Sequence, residues 1–129
     1  MATTFDPLDI EEQAFKRSST TDFAEQVAFL LETVGARITT AALGLADARP
    51  LYKWRDGQVD HPRSDAVTRL RALYRVVWAI SEAYSPTVAA AFLRGSNPQL
   101  DDKAPLIVLA DGEPSGAAVI AAARAFLEG

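Results

Sequence analysis

Cysteine is absent from this sequence of 129 residues, and histidine occurs only once. Without cysteine the chain can form no disulfide and offers no thiolate to a metal, which fits a reducing compartment. No run approaches the roughly 18 apolar residues that a membrane-spanning helix needs. The first fifteen residues are acidic and lack the apolar stretch of a signal peptide. We therefore expect a cytoplasmic protein with no membrane contact, folded as one domain or as two small lobes that share a core.

The residues that catalysis usually needs are also scarce. His61 is the sole histidine and lies in a polar turn beside Pro62, so a Ser-His pair or a histidine metal site is not expected. Asp101 and Asp102 are adjacent acids, which we interpret as caps of a following helix. There is no glycine-rich phosphate loop. We expect no enzyme activity, no metal and no small-molecule cofactor.

Charge is distributed unevenly along the chain, although its net value is only −4. Residues 35–75 carry eight bases and four acids, whereas the segments on either side are acidic. A basic middle segment is a local electrostatic signal that the overall balance conceals. The sequence is therefore compatible with a nucleic-acid partner.

Helical periodicity and helix-end residues predict an all-α fold. Residues 1–21 form an acidic segment that is either a short helix begun by Asp6 and Pro7 or a partly ordered tail. Asp22 and Glu25 have the spacing of a capping box at the next helix. A long helix over 64–84, capped by Ser64, is predicted by a broad apolar stripe. The stripe consists of Val67, Leu70, Leu73, Tyr74, Val77, Trp78 and Tyr84.

Residues 22–62 favour a helix-turn-helix, although a plain helical hairpin with solvated arginines fits the same pattern. Leu51 and Trp54 are expected to face inward on the second short helix, while bases face outward. The turn of a helix-turn-helix is expected to hold a glycine, which here would fall near Ala46. The glycine of this sequence, Gly44, comes earlier. The candidate DNA-binding residues are Arg49, Tyr52, Lys53 and Arg55.

Residues 63–129 continue as helices broken by proline and glycine. A short helix over 86–94 ends at Gly95, and Pro105 begins another that ends at Gly112. The last helix has a single interior charge, Arg124. Such a helix is buried on both sides within the fold, offers one side to another chain, or is an alanine-rich helix that needs little polarity to stay in solution.

The stretch FLRGSNPQLDDKAPLIVLADG, followed by VIAAARAFLEG, resembles the toxin-binding domain of the Xre/MbcA/ParS antitoxins. Leu51, Trp54 and Gly57 are similar to the second helix of that family's Xre-like helix-turn-helix, so the likeness spans residues 23–129. The C-terminal motif is carried by Phe92, Leu93, Asn97, Pro98, Leu100, Pro105, Leu106, Leu109, Gly112, Ile120, Phe126 and Leu127.

The resemblance implies an all-α antitoxin with an Xre-like helix-turn-helix half and a helical toxin-binding half. Such proteins neutralise a RES-domain toxin that degrades NAD by covering its active-site entrance, tend to form homodimers, and often bind their own operator DNA. The implied toxin-binding residues are Asn97, Pro98, Leu100, Pro105, Leu106, Leu109, Ile120, Phe126 and Leu127. Leu100 would face the toxin or pack under its own loop.

Two other functions remain open from the sequence. The chain could be a dimeric helix-turn-helix transcription regulator without a toxin, whose C-terminal half only dimerises. It could also be an interaction adaptor that has lost DNA binding, which the unusual turn near Ala46 favours.

Overall fold

The computed structural model describes residues 5–58 and 62–129; His61 therefore lies outside the described residues. Within these ranges the chain is all-α, as predicted. The helices are α1 (Pro7–Thr20), α2 (Phe23–Thr33), α3 (Ala36–Ala42), α4 (Arg49–Arg55), α5 (Ser64–Ala83), α6 (Pro86–Arg94), α7 (Pro105–Asp111) and α8 (Ala117–Glu128), with a 3₁₀ turn at Pro98–Leu100.

Helix α5 is the centre of the fold. Its 20 residues give a rod of about 30 Å, and α1, α2, α6 and α8 pack around it. Leu70, Leu73 and Val77 are fully buried, as the apolar stripe predicted. Tyr84 differs, because it follows the last residue of the helix and remains 47% exposed. Neither α5 nor any other helix in the described ranges has the length and apolarity to cross a membrane.

Residues 7–20 of the N-terminal segment form a helix. The Asp6 carboxylate accepts a hydrogen bond from the backbone N–H of Leu8 at 3.0 Å, and Pro7 occupies the first turn. Ile10 and Ala14 enter the same core as the residues of α5. The sequence left this outcome open because the apolar face expected from Leu8 and Phe15 is thin, and both of these residues are in fact exposed.

A buried amide joins α1 to α2. The Gln26 side-chain nitrogen donates to the backbone carbonyls of Ser18 and Thr21, both at 3.0 Å. These carbonyls lie at the C-terminal end of α1, where no helical partner remains for them. Gln26 therefore fixes the sharp corner between the two helices.

Three predicted helix caps are wrong. Asp22 occupies the N-cap of α2, but its side chain makes no capping hydrogen bond, so the capping box with Glu25 is not formed. Arg63, rather than Ser64, is the N-cap of α5. Asp101 and Asp102 precede α7 without capping it, because Ala104 is the N-cap.

The two short helices of residues 22–62 contact different neighbours. Helix α4 packs chiefly against α2, where Leu51 is buried and the rings of Trp54 and Phe23 meet edge to face at 5.3 Å. Helix α3 packs mainly against α7. The inward positions of Leu51 and Trp54 are confirmed, whereas the helix-turn-helix assignment stays a prediction.

Candidate partner-binding site

The segment between α6 and α7 is a closed and well-bonded loop. The Asn97 side-chain oxygen accepts from the N–H of Gln99, and its backbone carbonyl accepts from the N–H groups of Leu100 and Asp102, all at 2.9 Å. Asn97 also donates its own N–H to the carbonyl of Lys103 at 3.2 Å. One asparagine therefore closes the loop at both ends, as an Asn-Pro turn can do.

Two consecutive acids of this loop adopt the left-handed conformation. Asp101 has φ 56° and Asp102 has φ 64°, and both are exposed. This region is uncommon for residues other than glycine, although aspartate enters it more readily than most. The strained pair persists because the hydrogen bonds of Asn97 and the burial of Leu100 determine the backbone on either side. The loop thus presents two exposed carboxylates on a backbone that its hydrogen bonds hold in place.

Arg69 holds the next helix in place from the side of α5. Its Nε donates to the backbone carbonyl of Leu109 at 2.8 Å, and its Nη2 donates to that of Gly112 at 2.9 Å. These acceptors lie at the C-terminal end of α7, where carbonyls lack helical partners and a positive charge is favourable. Arg69 is therefore a structural clamp, and not a solvated or phosphate-binding arginine.

The end of α7 also requires glycine for close approach. A methyl group on the Cα of Gly112 would lie 2.5 Å from the carbonyl oxygen of Val108. At Gly116, with φ 62°, an added Cβ would lie 2.9 Å from both Ala72 and Leu109 side-chain carbons. Because both glycines permit tight turns, α7 and α8 meet closely on α5.

An open groove lies where α7 meets the start of α8. It has a volume of about 280 Å³ and is lined by Val108, Gly112, Ala117 and Ala118, among others. Ile107 lies on the exposed side of α7, with 47% of its surface accessible. A groove with apolar walls and an exposed isoleucine on the same helix are both suited to contact a partner.

The predicted toxin-binding residues divide by their burial. Leu100 packs under its own loop, and Pro105, Leu109 and Leu127 are likewise buried. Asn97, Leu106 and Ile120 are partly buried, while Pro98 and Phe126 are exposed. The buried members support the surface from beneath, so only the others are accessible to a partner in this conformation.

Phe126 belongs to an aromatic cluster rather than standing alone. Its ring lies 5.2 Å from Phe92 and 5.5 Å from Tyr84, and Tyr84 in turn lies 5.2 Å from Phe5, all between ring centroids. Phe126 is still 38% exposed. The cluster gives this end of α8 a rigid apolar edge.

Ile107, Asp101 and Asp102 were not among the predicted partner-binding residues. The exposure of Ile107 could have been predicted from helical spacing. Residues two apart on a helix lie on nearly opposite sides, and Pro105 is buried. No sequence signal gives the direction of the two aspartates, since the fold of the whole loop sets it.

The candidate DNA-binding residues all lie exposed on α4, but two of its bases are already paired. Arg49 forms a two-point ion pair with Asp47, at 2.8 and 3.1 Å. The hydrogen bonds from Arg49 lower the pKa of the Asp47 carboxyl to about 2. Arg55 contacts Asp56 at 3.1 Å and lies over the ring of Tyr52. Of the three cations of α4, Lys53 has no ion pair within the described ranges.

Comparison of the chain with protein-family models, with curated proteins and with solved structures gives no match. The function must therefore be argued from the motif, the loop and the surfaces described above.

Proposed function

We propose that the chain is an antitoxin of a type II toxin-antitoxin system that binds a RES-type, NAD-degrading toxin in the cytoplasm and occludes its active site. The observation that carries the proposal is the Asn97–Lys103 loop, in which two exposed carboxylates are held in a strained conformation. Strain of this kind is found where the backbone has a role in recognition.

The resemblance and the geometry point to the same part of the chain. Asn97 closes the loop and Leu100 is buried beneath it, while Pro105, Leu109 and Leu127 are buried in the helices that follow. Around these buried residues the Asp101–Asp102 pair, Ile107 and Phe126 are each accessible to a partner. A surface that is already ordered loses little entropy on binding, which favours tight capture. Its carboxylates suit a basic cleft, such as one that binds the phosphates of NAD.

The first experiment purifies the tagged chain from its natural operon and identifies what is bound. An antitoxin should recover a stoichiometric neighbour that consumes NAD only after release from this chain. A chain recovered alone, with NAD unaffected by the adjacent gene product, would exclude this function.

The role of the loop is tested by removing its charge without changing its shape. In the Asp101→Asn, Asp102→Asn variant, asparagine keeps the left-handed preference of the backbone. We expect toxin affinity to fall by roughly tenfold or more and NAD consumption to return. The matched control is Glu25→Gln, Glu32→Gln on exposed positions of α2, which removes the same charge elsewhere. Equal neutralisation by both variants would show that the loop carboxylates do not contact the toxin.

We propose autoregulatory binding of operator DNA, through a helix-turn-helix over α3 and α4, as a second role. The basic segment 35–75 and the exposed Lys53 and Tyr52 support it, while the ion pairs of Arg49 and Arg55 oppose it by reducing the charge offered to phosphate. Lys53→Ala should weaken promoter binding for all sequences and lower the salt slope by about one. Unchanged affinity across salt would exclude Lys53 as a phosphate contact.

A regulator without a toxin would bind its promoter and recover no neighbour in the purification. An adaptor would capture its partner and fail to shift upstream DNA. The two measurements together therefore separate these alternatives from the antitoxin.

A further inference from the structure

Helix α1 buries little apolar surface for its length. Of its 14 residues only Ile10, Ala14 and Ser18 are buried, and Ile10 is the single large apolar side chain among them. Its other large apolar side chains, Leu8 and Phe15, are 71% and 56% exposed. Because most residues that face α5 are small, the two helices approach closely along their length and yet hide little hydrocarbon from water. The hydrophobic contribution that holds α1 to the fold is therefore small.

The space between α1, α5 and α8 is also incompletely filled. A small pocket of about 10 Å³ lies there, and its lining includes Ala14, Ala79, Ala123 and Leu127. Protein interiors are normally close-packed, so the atoms around such a space lose part of their dispersion contacts. The packing beneath α1 therefore contributes less than the buried surface alone suggests.

Two arginines stack across the boundary between α1 and α5, one from each helix. The guanidinium of Arg17 on α1 lies 4.8 Å from the centroid of the Trp78 ring. The guanidinium of Arg75 on α5 lies 4.9 Å from the centroid of the Phe15 ring. Contacts of this kind are weak where solvent reaches them. They orient α1 on the fold and add little to its attachment.

An ion pair joins α1 to α8. Nε of Arg124 donates to a carboxylate oxygen of Glu11 at 2.6 Å, and the Glu11 side chain is only 13% exposed. Burial and then the positive charge of Arg124 lower the pKa of Arg75, while the charge of Glu11 opposes this. One carboxylate therefore compensates two arginines. Its removal leaves two like charges close together.

The C-terminal end of α1 is attached to α2 and not to α5 alone. The Gln26 side chain on α2 donates to the carbonyls of Ser18 and Thr21. Thr21 is extended, and Asp22 makes no side-chain hydrogen bond that would stiffen the start of α2. This corner stays attached when the contacts along the rest of α1 break, so it can act as a pivot.

We propose that α1 is a strap that leaves α5 and α8 as one unit, turning about the corner at Thr21 and Asp22, while the other helices stay folded. Those helices keep their own large buried leucines and valines. A region with few buried apolar contacts opens at a lower free energy than the whole fold. The open form uncovers the side of α8 that bears Ala123 and Leu127, which then becomes accessible to a partner. The inference does not rest on the antitoxin function.

The absence of cysteine makes the test direct, because an introduced thiol is the only one in the chain. Ala79→Cys places it on α5 beneath α1, and Ala89→Cys places it on α6, which packs on α5 and α7. Both alanines are buried, so the thiol reacts with N-ethylmaleimide only after opening. The labelling rate of the full chain, followed by mass spectrometry in urea below the unfolding transition, reports each opening equilibrium.

The two thiols should differ in rate and in urea dependence. Ala79→Cys should react at least about tenfold faster than Ala89→Cys, because it needs only the release of α1. Its rate should rise with urea less steeply than that of Ala89→Cys, since release of one helix exposes less surface than unfolding of the chain.

Two substitutions separate release of α1 from unfolding of the whole chain. Leu93→Val weakens the core at α6, so it should speed labelling of Ala89→Cys by roughly threefold to tenfold and leave Ala79→Cys unchanged. Glu11→Gln weakens the closed form, from which both openings begin, so it should speed both by roughly threefold or more. Glu12→Gln, at the exposed neighbouring position, is the control and should change neither rate.

Equal rates and equal urea dependence for Ala79→Cys and Ala89→Cys would overturn the proposal, because α1 would then leave only with the whole fold. So would a rate for Ala79→Cys that does not change with urea, or one that Leu93→Val raises. Ala123→Cys, on α8 beneath the same helix, repeats the measurement if Ala79→Cys disturbs the closed form. Unchanged rates in Glu11→Gln would overturn the role of its ion pair. Failure to capture a toxin would leave all these rates, measured on the chain alone, as they are.

Discussion

Replacing Arg69 with methionine should destabilise the fold and loosen the end of α7 in particular. Methionine keeps an unbranched side chain and a similar helix propensity, so the change removes the two hydrogen bonds and little else. The inner bond, to the carbonyl of Leu109, is partly buried, and the outer bond, to that of Gly112, is exposed. A hydrogen bond from a charged donor contributes about 1.5–3 kcal/mol when shielded and much less in solvent. The expected loss is therefore about 2–3 kcal/mol.

Urea unfolding followed by circular dichroism measures this loss. For a chain of this size the slope is about 1–3 kcal/mol per molar urea, so the midpoint should fall by roughly 0.7 to 3 M. Arg71→Met is the matched control, because Arg71 is exposed on the same helix two residues later. It should change the free energy of unfolding by less than about 0.5 kcal/mol.

Hydrogen exchange locates the effect. In Arg69→Met the amides near Val108 and Gly112 should exchange faster than those in the middle of α5. Without the clamp, α7 can open locally without having to break the two hydrogen bonds from Arg69. Equal unfolding midpoints for Arg69→Met and Arg71→Met would refute the assignment of Arg69 as a clamp.

Three further predictions follow from close contacts. Gly112→Ala should cost about 1–3 kcal/mol in thermal or urea unfolding, because the new methyl group meets the carbonyl of Val108; an unchanged midpoint would show that the turn can open. Gln26→Leu should cost about 1–3 kcal/mol by leaving two carbonyls at the corner of α1 unpaired, and full stability would contradict that role. Since the folded pKa of Asp47 is lowered, its ion pair is present at neutral pH and is lost as pH falls toward 2; carboxyl NMR should give a midpoint near 2, and Arg49→Ala should move it up toward 3.8.

The sequence was most informative where a signal is local. The apolar stripe of α5 predicted its core positions, and Pro86, Gly95, Pro105 and Gly112 predicted where the following short helices begin and end. Periodicity and backbone restrictions act within a few residues, so one sequence is enough to read them.

The sequence was least informative where partners are distant or are backbone atoms. Arg69 lies off the apolar stripe, and the sequence does not mark it as a clamp, because its acceptors are backbone carbonyls 40 and 43 residues away. Asp101 and Asp102 looked like helix caps, because their conformation depends on the whole loop that Asn97 closes. The candidate partner-binding site stays a prediction, and the structure shows only which of its predicted residues are accessible.

The two tryptophans of the chain lie in different environments, so their intrinsic fluorescence can report on two parts of the fold. Trp54 is half-buried on α4 against Phe23, whereas Trp78 is buried in α5 beneath the guanidinium of Arg17, 4.8 Å from the ring centroid. Helix α4 is short and packs chiefly on α2, so we expect it to open at a lower free energy than the whole fold, although its Leu51 belongs to the core. Intrinsic fluorescence of single-tryptophan variants therefore distinguishes detachment of α4 from global unfolding with no added label.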